Sequence, residues 1–196
     1  MKKTLILMVA LTALSSVTKA QVQFSFGPGL GLNYTVHSSN GSDETYSNLG
    51  PLFTSQFDMQ FSRHFGVLLW LDLYSDMSYN FDNEYDDKFA INYFEFSPTL
   101  KYCVSGSRFY LYVGPGVGIK TIGRTESSEE DYNEDIPDML PRLDFRFGAG
   151  YEFFLSKKLT LSPFIHYNAG LNKVISYGDW RIDVLQFGVV LRFSAY

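Results

Sequence analysis

From Val22 to its C-terminus, this chain alternates apolar side chains with glycine, polar or charged ones at every second position. In the first such segment Phe24 and Phe26 are separated by serine, and Leu30 and Leu32 by glycine. A period of two is typical of a β-strand whose two faces meet different surroundings. The pattern recurs in eight segments, which span residues 23–36, 53–62, 65–74, 89–102, 108–119, 142–153, 159–171 and 185–193. We therefore predict an all-β chain.

The amino terminus has the pattern of a secretory signal peptide. Two lysines precede an apolar stretch over residues 5–14 that is too short to span a bilayer as a helix. Thr18 and Ala20 supply small residues at the third and first positions before a cut that follows Ala20. We expect residues 1–20 to be removed and residues 21–196 to form one β-barrel domain.

The mature chain is acidic and has one cysteine. Without the three lysines of the leader it keeps 13 basic and 21 acidic side chains, a net charge of −8. This charge disfavours nucleic acid as a partner, and the lone Cys103 excludes an intramolecular disulfide. No later stretch approaches the roughly 20 apolar residues of a transmembrane helix. If the chain enters a membrane, strands must carry it there.

The connections between the segments alternate in length. Short links fall at residues 63–64, 103–107 and 155–158, and long polar ones at 37–49, 75–88, 120–140 and 172–181. This pattern predicts an eight-stranded antiparallel up-and-down transmembrane β-barrel with periplasmic turns, exterior loops and periplasmic termini. Outward aromatic residues near the periplasmic edge would form an interfacial girdle, and they are Phe24, Phe61, Phe65, Tyr102, Phe109, Phe153 and Phe193.

The direction in which the apolar rows point decides between two kinds of protein. A soluble calyx also has eight antiparallel strands, but its apolar row faces inward around a ligand. Here the apolar rows contain more large leucine, phenylalanine and tyrosine side chains than a small closed lumen could hold, whereas the opposite rows mix glycine with bulky and charged residues. We therefore expect the apolar rows to face lipid, and the calyx is the less favoured interpretation.

Three stretches combine aromatic residues with glycine or charged ones: residues 93–102, which include Tyr93-Phe94-Glu95-Phe96 and Leu100-Lys101-Tyr102, and residues 109–118 and 147–153. They resemble the PorT-like and related outer-membrane β-barrel families of Gram-negative bacteria. The resemblance implies the same barrel in the cell outer membrane, with outer-membrane lipid and lipopolysaccharide as surroundings. For one class of members it also implies an accessory role in protein secretion, with envelope or secretion proteins as partners.

Five residues on the inward rows lie about seven positions from a strand end, so we expect them at mid-height of the lumen. They are Asp72, Glu95, Asp144, Arg146 and His166. Asp72 and Glu95 would repel each other unless Arg146 or water lay between them. A polar plug that fixes the barrel is the simpler interpretation, and a proton or small-ion path is the alternative. Large inward side chains should occlude the remaining lumen, namely Trp70, Tyr74, Tyr93, Tyr110, Tyr112 and Phe164.

Four more charged residues are expected near the periplasmic mouth: Asp58, Lys101, Glu152 and Arg192. Opposite charges that pair and close the bottom of the barrel are the simplest account of them. A docking site for a periplasmic partner is the alternative.

The predicted exterior loops are acidic, and one of them carries Glu126, Glu129, Glu130, Asp131, Glu134, Asp135 and Asp138. Such charge runs are usually solvated loops, although divalent cations could bridge their carboxylates to lipopolysaccharide phosphates. Asp131, Asn133 and Asp135 imitate the start of an EF-hand loop, but Ile136 and Arg142 stand where that motif needs glycine and glutamate. We expect no metal site and no cofactor.

A lipid-modifying enzyme is the alternative from another functional class. Some eight-stranded barrels use serine, histidine and an acid near the exterior rim, and His37, Ser38 and Asp43 offer those groups here. Adjacent side chains make a poor triad, because the base must reach the nucleophile and be oriented by a third group. We expect instead a non-enzymatic, closed barrel with a structural or interaction role in the envelope.

Overall fold

The computed structural model describes residues 22–39, 45–80, 88–126, 133–136, 138–176 and 179–195. These residues form strands and connections, and they contain no helix that could cross a membrane. The strands are β1 (Gln23–Ser39), β2 (Thr45–Gln60), β3 (Phe65–Asp76), β4 (Tyr79–Asn80), β5 (Lys88–Cys103), β6 (Phe109–Glu126), β7 (Asn133–Asp135), β8 (Arg142–Tyr151), β9 (Phe153–Phe154), β10 (Leu159–Gly170) and β11 (Trp180–Ser194).

Eight long strands close into one antiparallel ring. Its order is β1, β2, β3, β5, β6, β8, β10 and β11, and β11 pairs again with β1. Each long strand neighbours the one before it in the chain, which is up-and-down topology. The short strands β4 and β7 extend the wall beside β5 and β6, and β9 continues the pairing with β10 after β8. The structure confirms the predicted eight-stranded antiparallel barrel.

The two faces of the wall differ as the alternation predicts. On β1, the outward Phe26 and Leu30 are 52% and 58% exposed, whereas the inward Asn33 and Thr35 are buried. The other long strands repeat this arrangement, so large apolar side chains cover the outside. A soluble monomer rarely exposes so much contiguous apolar surface. A calyx needs the reverse arrangement, so the structure argues against that interpretation.

One end of the barrel is closed by short turns and holds both described termini. The turns are residues 61–64, 104–108 and 155–158. The Ala195 amide donates to the Phe24 carbonyl at 3.0 Å, which ties the two ends of the chain together. We call this the short-turn end and the opposite one the long-loop end. Six of the seven girdle residues are 38–46% exposed near the short turns, and they are Phe24, Phe65, Tyr102, Phe109, Phe153 and Phe193.

The wall is taller at the long-loop end than the sequence predicts. β1 reaches Ser39 and β2 begins at Thr45, so both strands enter the predicted loop 37–49. β6 likewise continues to Glu126, and β11 begins at Trp180 rather than at residue 185. The observed connections are shorter than the predicted loops, because hydrogen-bonded pairing between neighbouring strands continues past the point where apolar alternation ends.

Tyr74 faces outward, so the prediction that it occludes the lumen is wrong. The pairing of β3 with β5 is irregular between Asp72 and Ser75, which both face inward. The extra residue in this bulge leaves two consecutive side chains on the outer face, where Leu73 is 55% and Tyr74 is 37% exposed. Strict alternation therefore holds only up to the bulge.

Candidate functional site

The part of the lumen toward the long-loop end, which we call its upper part, contains a buried charge network. Arg146 Nη2 lies 2.6 Å from Asp72 Oδ2 and 3.5 Å from Glu95 Oε2, so its guanidinium contacts both carboxylates, as their repulsion requires. Thr54 donates a hydrogen bond to Asp72 at 2.7 Å, and Arg146 Nε donates to Asn168 at 2.9 Å. All three charged side chains are fully buried. Burial of this kind is tolerable only when the charges are paired.

Arg142 is a second cation in this network that the sequence reasoning missed. Its Nη1 donates to Glu95 and lies 3.1 Å from Asp144 Oδ2. The rest of its guanidinium donates to the backbone carbonyls of Ile182 and Asn168, each at 3.3 Å. Arg142 stands first in the inward row of its segment, which suggests a place at the rim. The extra height of the wall puts it inside the lumen instead.

His166 lies below the charged layer and joins a neutral hydrogen-bond chain. Since Gln186 Oε1 can only accept, His166 Nε2 donates to it, and Nδ1 accepts from the Tyr112 hydroxyl at 2.8 Å. Gln186 Nε2 then donates to Asn33 Oδ1 at 2.9 Å, and Asn33 donates to Ser75 at 3.0 Å. His166 therefore links Tyr112 to Gln186 across the lumen.

An aromatic layer fills the lumen at the level of His166. The Trp70 ring lies 4.9 Å from Phe164, 5.4 Å from Tyr112 and 5.1 Å from His166, measured between centroids. The Arg146 guanidinium sits 5.7 Å from the Trp70 centroid, so the charged and aromatic layers are in contact. All of these side chains are buried. The layer leaves the interior packed with side chains, as expected for eight strands.

The four charged residues predicted at the mouth meet in one cluster toward the short-turn end. Lys101 Nζ lies 2.6 Å from Asp58 and 2.7 Å from Glu152. Arg192 pairs with Asp58 as well, and its Nη2 lies 2.7 Å from Glu152. Two cations thus balance two anions. Lys101 also lies 4.7 Å from the centroid of the buried Tyr110 ring, which separates this cluster from the layers above.

A cavity of about 470 Å³ extends from this cluster to the short-turn end, where it opens. Besides the four charged residues, its lining includes Gln60, Cys103 and the turn residues Arg63 and Arg108. The Gln60 amide donates to Cys103 Sγ at 3.4 Å. The cavity is therefore a vestibule whose floor is the paired charge cluster.

An apolar cluster closes the lumen toward the long-loop end, and sequence reasoning did not predict it. It consists of Met77, Ile91, Tyr93, Ile136, Val174, Ile175, Ile182 and Val184. Several members come from connections rather than barrel strands, and the Leu140 amide donates to the Val174 carbonyl at 2.8 Å to hold two of these connections together. Such residues follow no period, so inspection for alternation overlooks them.

Beside this apolar cluster, Trp180 Nε1 donates to His37 Nδ1 at 3.1 Å. The Tyr79 ring lies 4.5 Å from the His37 centroid, and burial raises the pKa of the Tyr79 phenol. His37 faces the lumen, whereas Ser38 is exposed on the other face of β1. The two side chains therefore point away from each other, and Asp43 lies outside the described residues.

Glu129, Glu130 and Asp131 of the acidic loop lie outside the described part of the chain, whereas Glu126 belongs to β6 and Glu134 to β7. Asp135 and Asp138 are described, and both are exposed. Among the residues with described positions, no group of three or more histidine, cysteine or acidic side chains is arranged to hold a metal ion.

Comparison with protein families identifies the barrel. Residues 6–193 match the outer membrane protein beta-barrel domain. The chain belongs to this family. The match covers nearly all of the sequence and agrees with the closed ring and its apolar exterior, so this barrel is an outer-membrane protein. By the general rule for such barrels, the short-turn end faces the periplasm.

Solved structures similar to this outer-membrane barrel share its fold. OprG from Pseudomonas aeruginosa has 11% identity and a TM-score of 0.54, with 90% of this chain and 97% of that chain covered. AlkL in lipid bilayers has 14% identity and a TM-score of 0.52, with coverage of 89% and 90%. Neisserial surface protein A has 13% identity and a TM-score of 0.50, with coverage of 88% and 98%. No match was found among curated proteins.

Proposed function

We propose that this protein is a sealed, non-enzymatic barrel with a structural or interaction role in the outer membrane. The observation that carries the proposal is the continuous filling of its lumen. Apolar, charged, aromatic and again charged layers follow one another from the long-loop end to the vestibule. A solute would have to break buried ion pairs to pass, and that is strongly unfavourable. Contacts with other molecules would then be made by the rims and loops.

Planar-bilayer recording tests the seal. We expect no conductance steps from the intact barrel over a range of voltages. A variant with Trp70, Tyr112 and Phe164 all replaced by alanine removes the aromatic layer, and it should show whether the recording detects an opened barrel. Leu30→Ala on the outer wall is the matched control, and it should stay silent. Regular conductance steps from the intact protein, with heat-modifiable gel mobility showing that it is folded, would contradict the proposal.

The opposite orientation of His37 and Ser38 supports the non-enzymatic assignment. A serine nucleophile needs its base within hydrogen-bond reach, and neighbouring residues on a strand point to opposite faces. The His37 Nδ1 atom is also engaged with Trp180. Replacement of His37 and Ser38, followed by an assay of lipid A acylation, tests the enzyme alternative. Acylation by the intact protein that disappears in the variant would establish the enzyme.

An accessory role in protein secretion is the specific variant of the interaction role that the PorT-like resemblance supports. Deletion of the protein tests it. Loss of secreted cargo with an intact envelope would support the role, and unchanged secretion would exclude it. Lipopolysaccharide is the proposed neighbour of the acidic loops on the exterior side, where divalent cations would bridge carboxylate and phosphate.

A further inference from the structure

The short-turn end presents basic side chains on all three of its turns. Arg63 lies in the first turn, Arg108 in the second, and Lys157 and Lys158 in the third, and all four are exposed. Within the described part of the chain, none of the four forms an ion pair with a carboxylate. Their charges are therefore available to a partner outside the protein.

The carboxylates nearest this end do not cancel that charge. Asp58 and Glu152 belong to the vestibule floor, where Lys101 and Arg192 already neutralise them. Asp58 is buried and Glu152 is mostly so, with 18% of its side chain exposed. The exposed ionised groups in the three described turns are thus cationic.

These basic residues lie at the level where lipid headgroups meet the protein. Arg63 is two residues before the outward Phe65, and Arg108 directly precedes Phe109. The Arg108 guanidinium lies 5.3 Å from the centroid of the exposed Phe154 ring, and both residues line the vestibule at its open end. Aromatic girdles mark the membrane–water interface. Cations beside such a girdle are placed to meet phosphate groups.

The predicted loops of the opposite end carry a net charge of the other sign. Within them, residues 81–87 and 127–132 contain seven acidic and no basic side chains. An anionic surface is therefore attracted more strongly by the short-turn end. A lipid leaflet also fits the placement of the cations around three turns, because annular lipids can reach each turn separately.

We propose that Arg63, Arg108, Lys157 and Lys158 bind the phosphate headgroups of anionic phospholipids in the periplasmic leaflet and select the lipid shell of the barrel. The proposal rests on the placement of the short-turn end on the periplasmic side of the membrane, and it is independent of the sealed lumen. Basic residues next to an anionic membrane surface are each attracted by an energy equivalent to about a fivefold preference.

Spin-label measurements on the whole folded barrel test this proposal. The protein is reconstituted in phosphatidylcholine vesicles that contain trace spin-labelled phosphatidylglycerol or phosphatidylcholine, and the motionally restricted fraction gives their relative association. We expect about a fivefold preference for phosphatidylglycerol at low salt. It should approach unity at about 1 M salt, where screening acts over about 3 Å.

Two matched variants locate the effect. R63Q/R108Q/K157Q/K158Q should lose the preference, whereas K88Q/K120Q/K173Q/R181Q, which removes as many charges near the long-loop end, should keep it. Heat-modifiable gel mobility shows whether each variant is folded, and the half variants R63Q/R108Q and K157Q/K158Q should each lose part of the preference. An unchanged preference in the first variant, or an equal loss in the second, would overturn the proposal. Binding of a soluble anionic glycan without lipid preference would overturn it too.

Discussion

Arg146 on β8 and Asp72 on β3 meet across the lumen, with Nη2 2.6 Å from Oδ2 and neither side chain exposed. Two other strands separate β8 from β3 on the ring. This ion pair therefore joins distant parts of the wall through the interior, where ladder hydrogen bonds cannot reach. The same guanidinium lies near Glu95, so one cation restrains two buried carboxylates.

Loss of Arg146 should be strongly destabilising. Arg146→Met leaves Asp72 and part of the Glu95 charge buried without a partner, and removing one member of a buried pair costs about 3–5 kcal/mol. Urea unfolding in lipid vesicles, followed by tryptophan fluorescence, measures the free energy of unfolding. The exposed Lys157→Gln should change it by no more than about 0.5 kcal/mol. A similarly small change for Arg146→Met would show that the network does not support the barrel.

The vestibule cluster should show compensation between charges. Asp58→Asn leaves Lys101 and Arg192 with only Glu152, and a lost charged hydrogen-bond partner costs about 1–3 kcal/mol. Asp58→Asn combined with Lys101→Met restores one cation to one anion, so part of the loss should be recovered. A double-mutant cycle from the same unfolding experiment gives the coupling. Simple addition of the two single effects would mean that the residues act independently.

Gly150 leaves room for the Tyr110 ring. A Cβ at this position would lie 2.9 Å from Tyr110 Cε1 and closer still to Cζ and the hydroxyl oxygen. Tyr110 is buried and cannot move aside cheaply, so Gly150→Ala should destabilise the barrel by about 1–3 kcal/mol. Tyr110→Leu in the same chain should relieve the overlap and regain part of the stability. Ser105→Ala in an exposed turn is the control, and a Gly150→Ala variant as stable as this control would refute the close packing.

The bulge in β3 predicts two adjacent residues in contact with lipid. With Cys103 replaced by serine, a fluorophore attached at Leu73→Cys or at Tyr74→Cys should be quenched by brominated lipid in both cases. In strict alternation only one of the two would be quenched. Quenching at position 73 alone would therefore show that β3 has no bulge at this point.

The sequence predicts the barrel because each long strand separates lipid from a polar interior, and that difference leaves a period of two. It also places Asp72, Glu95, Asp144 and Arg146 on the inward face. The alternation does not predict the outward direction of Tyr74, because a bulge depends on pairing with a neighbouring strand rather than on composition.

The central position of Arg142 and the apolar cluster could not be predicted from the sequence, for a different reason. The height of the wall determines which inward residues lie at the centre of the lumen. That height depends on strand pairing beyond the alternating segments, which the sequence of a single strand does not predict. Val174 and Ile175 pack inward from a connection that has no regular period. Their role is defined by the strands around them.

The direction of the apolar rows is tested most directly by spin labels on the outer wall. With Cys103 replaced by serine, labels at Leu30→Cys and Ile165→Cys are compared with one at Ser105→Cys in the second turn, for protein in lipid vesicles. Power saturation should show high accessibility to oxygen and low accessibility to a water-soluble nickel chelate at positions 30 and 165, and the reverse at 105. High accessibility to the chelate at 30 and 165, or shielding from both reagents, would contradict the lipid-facing orientation.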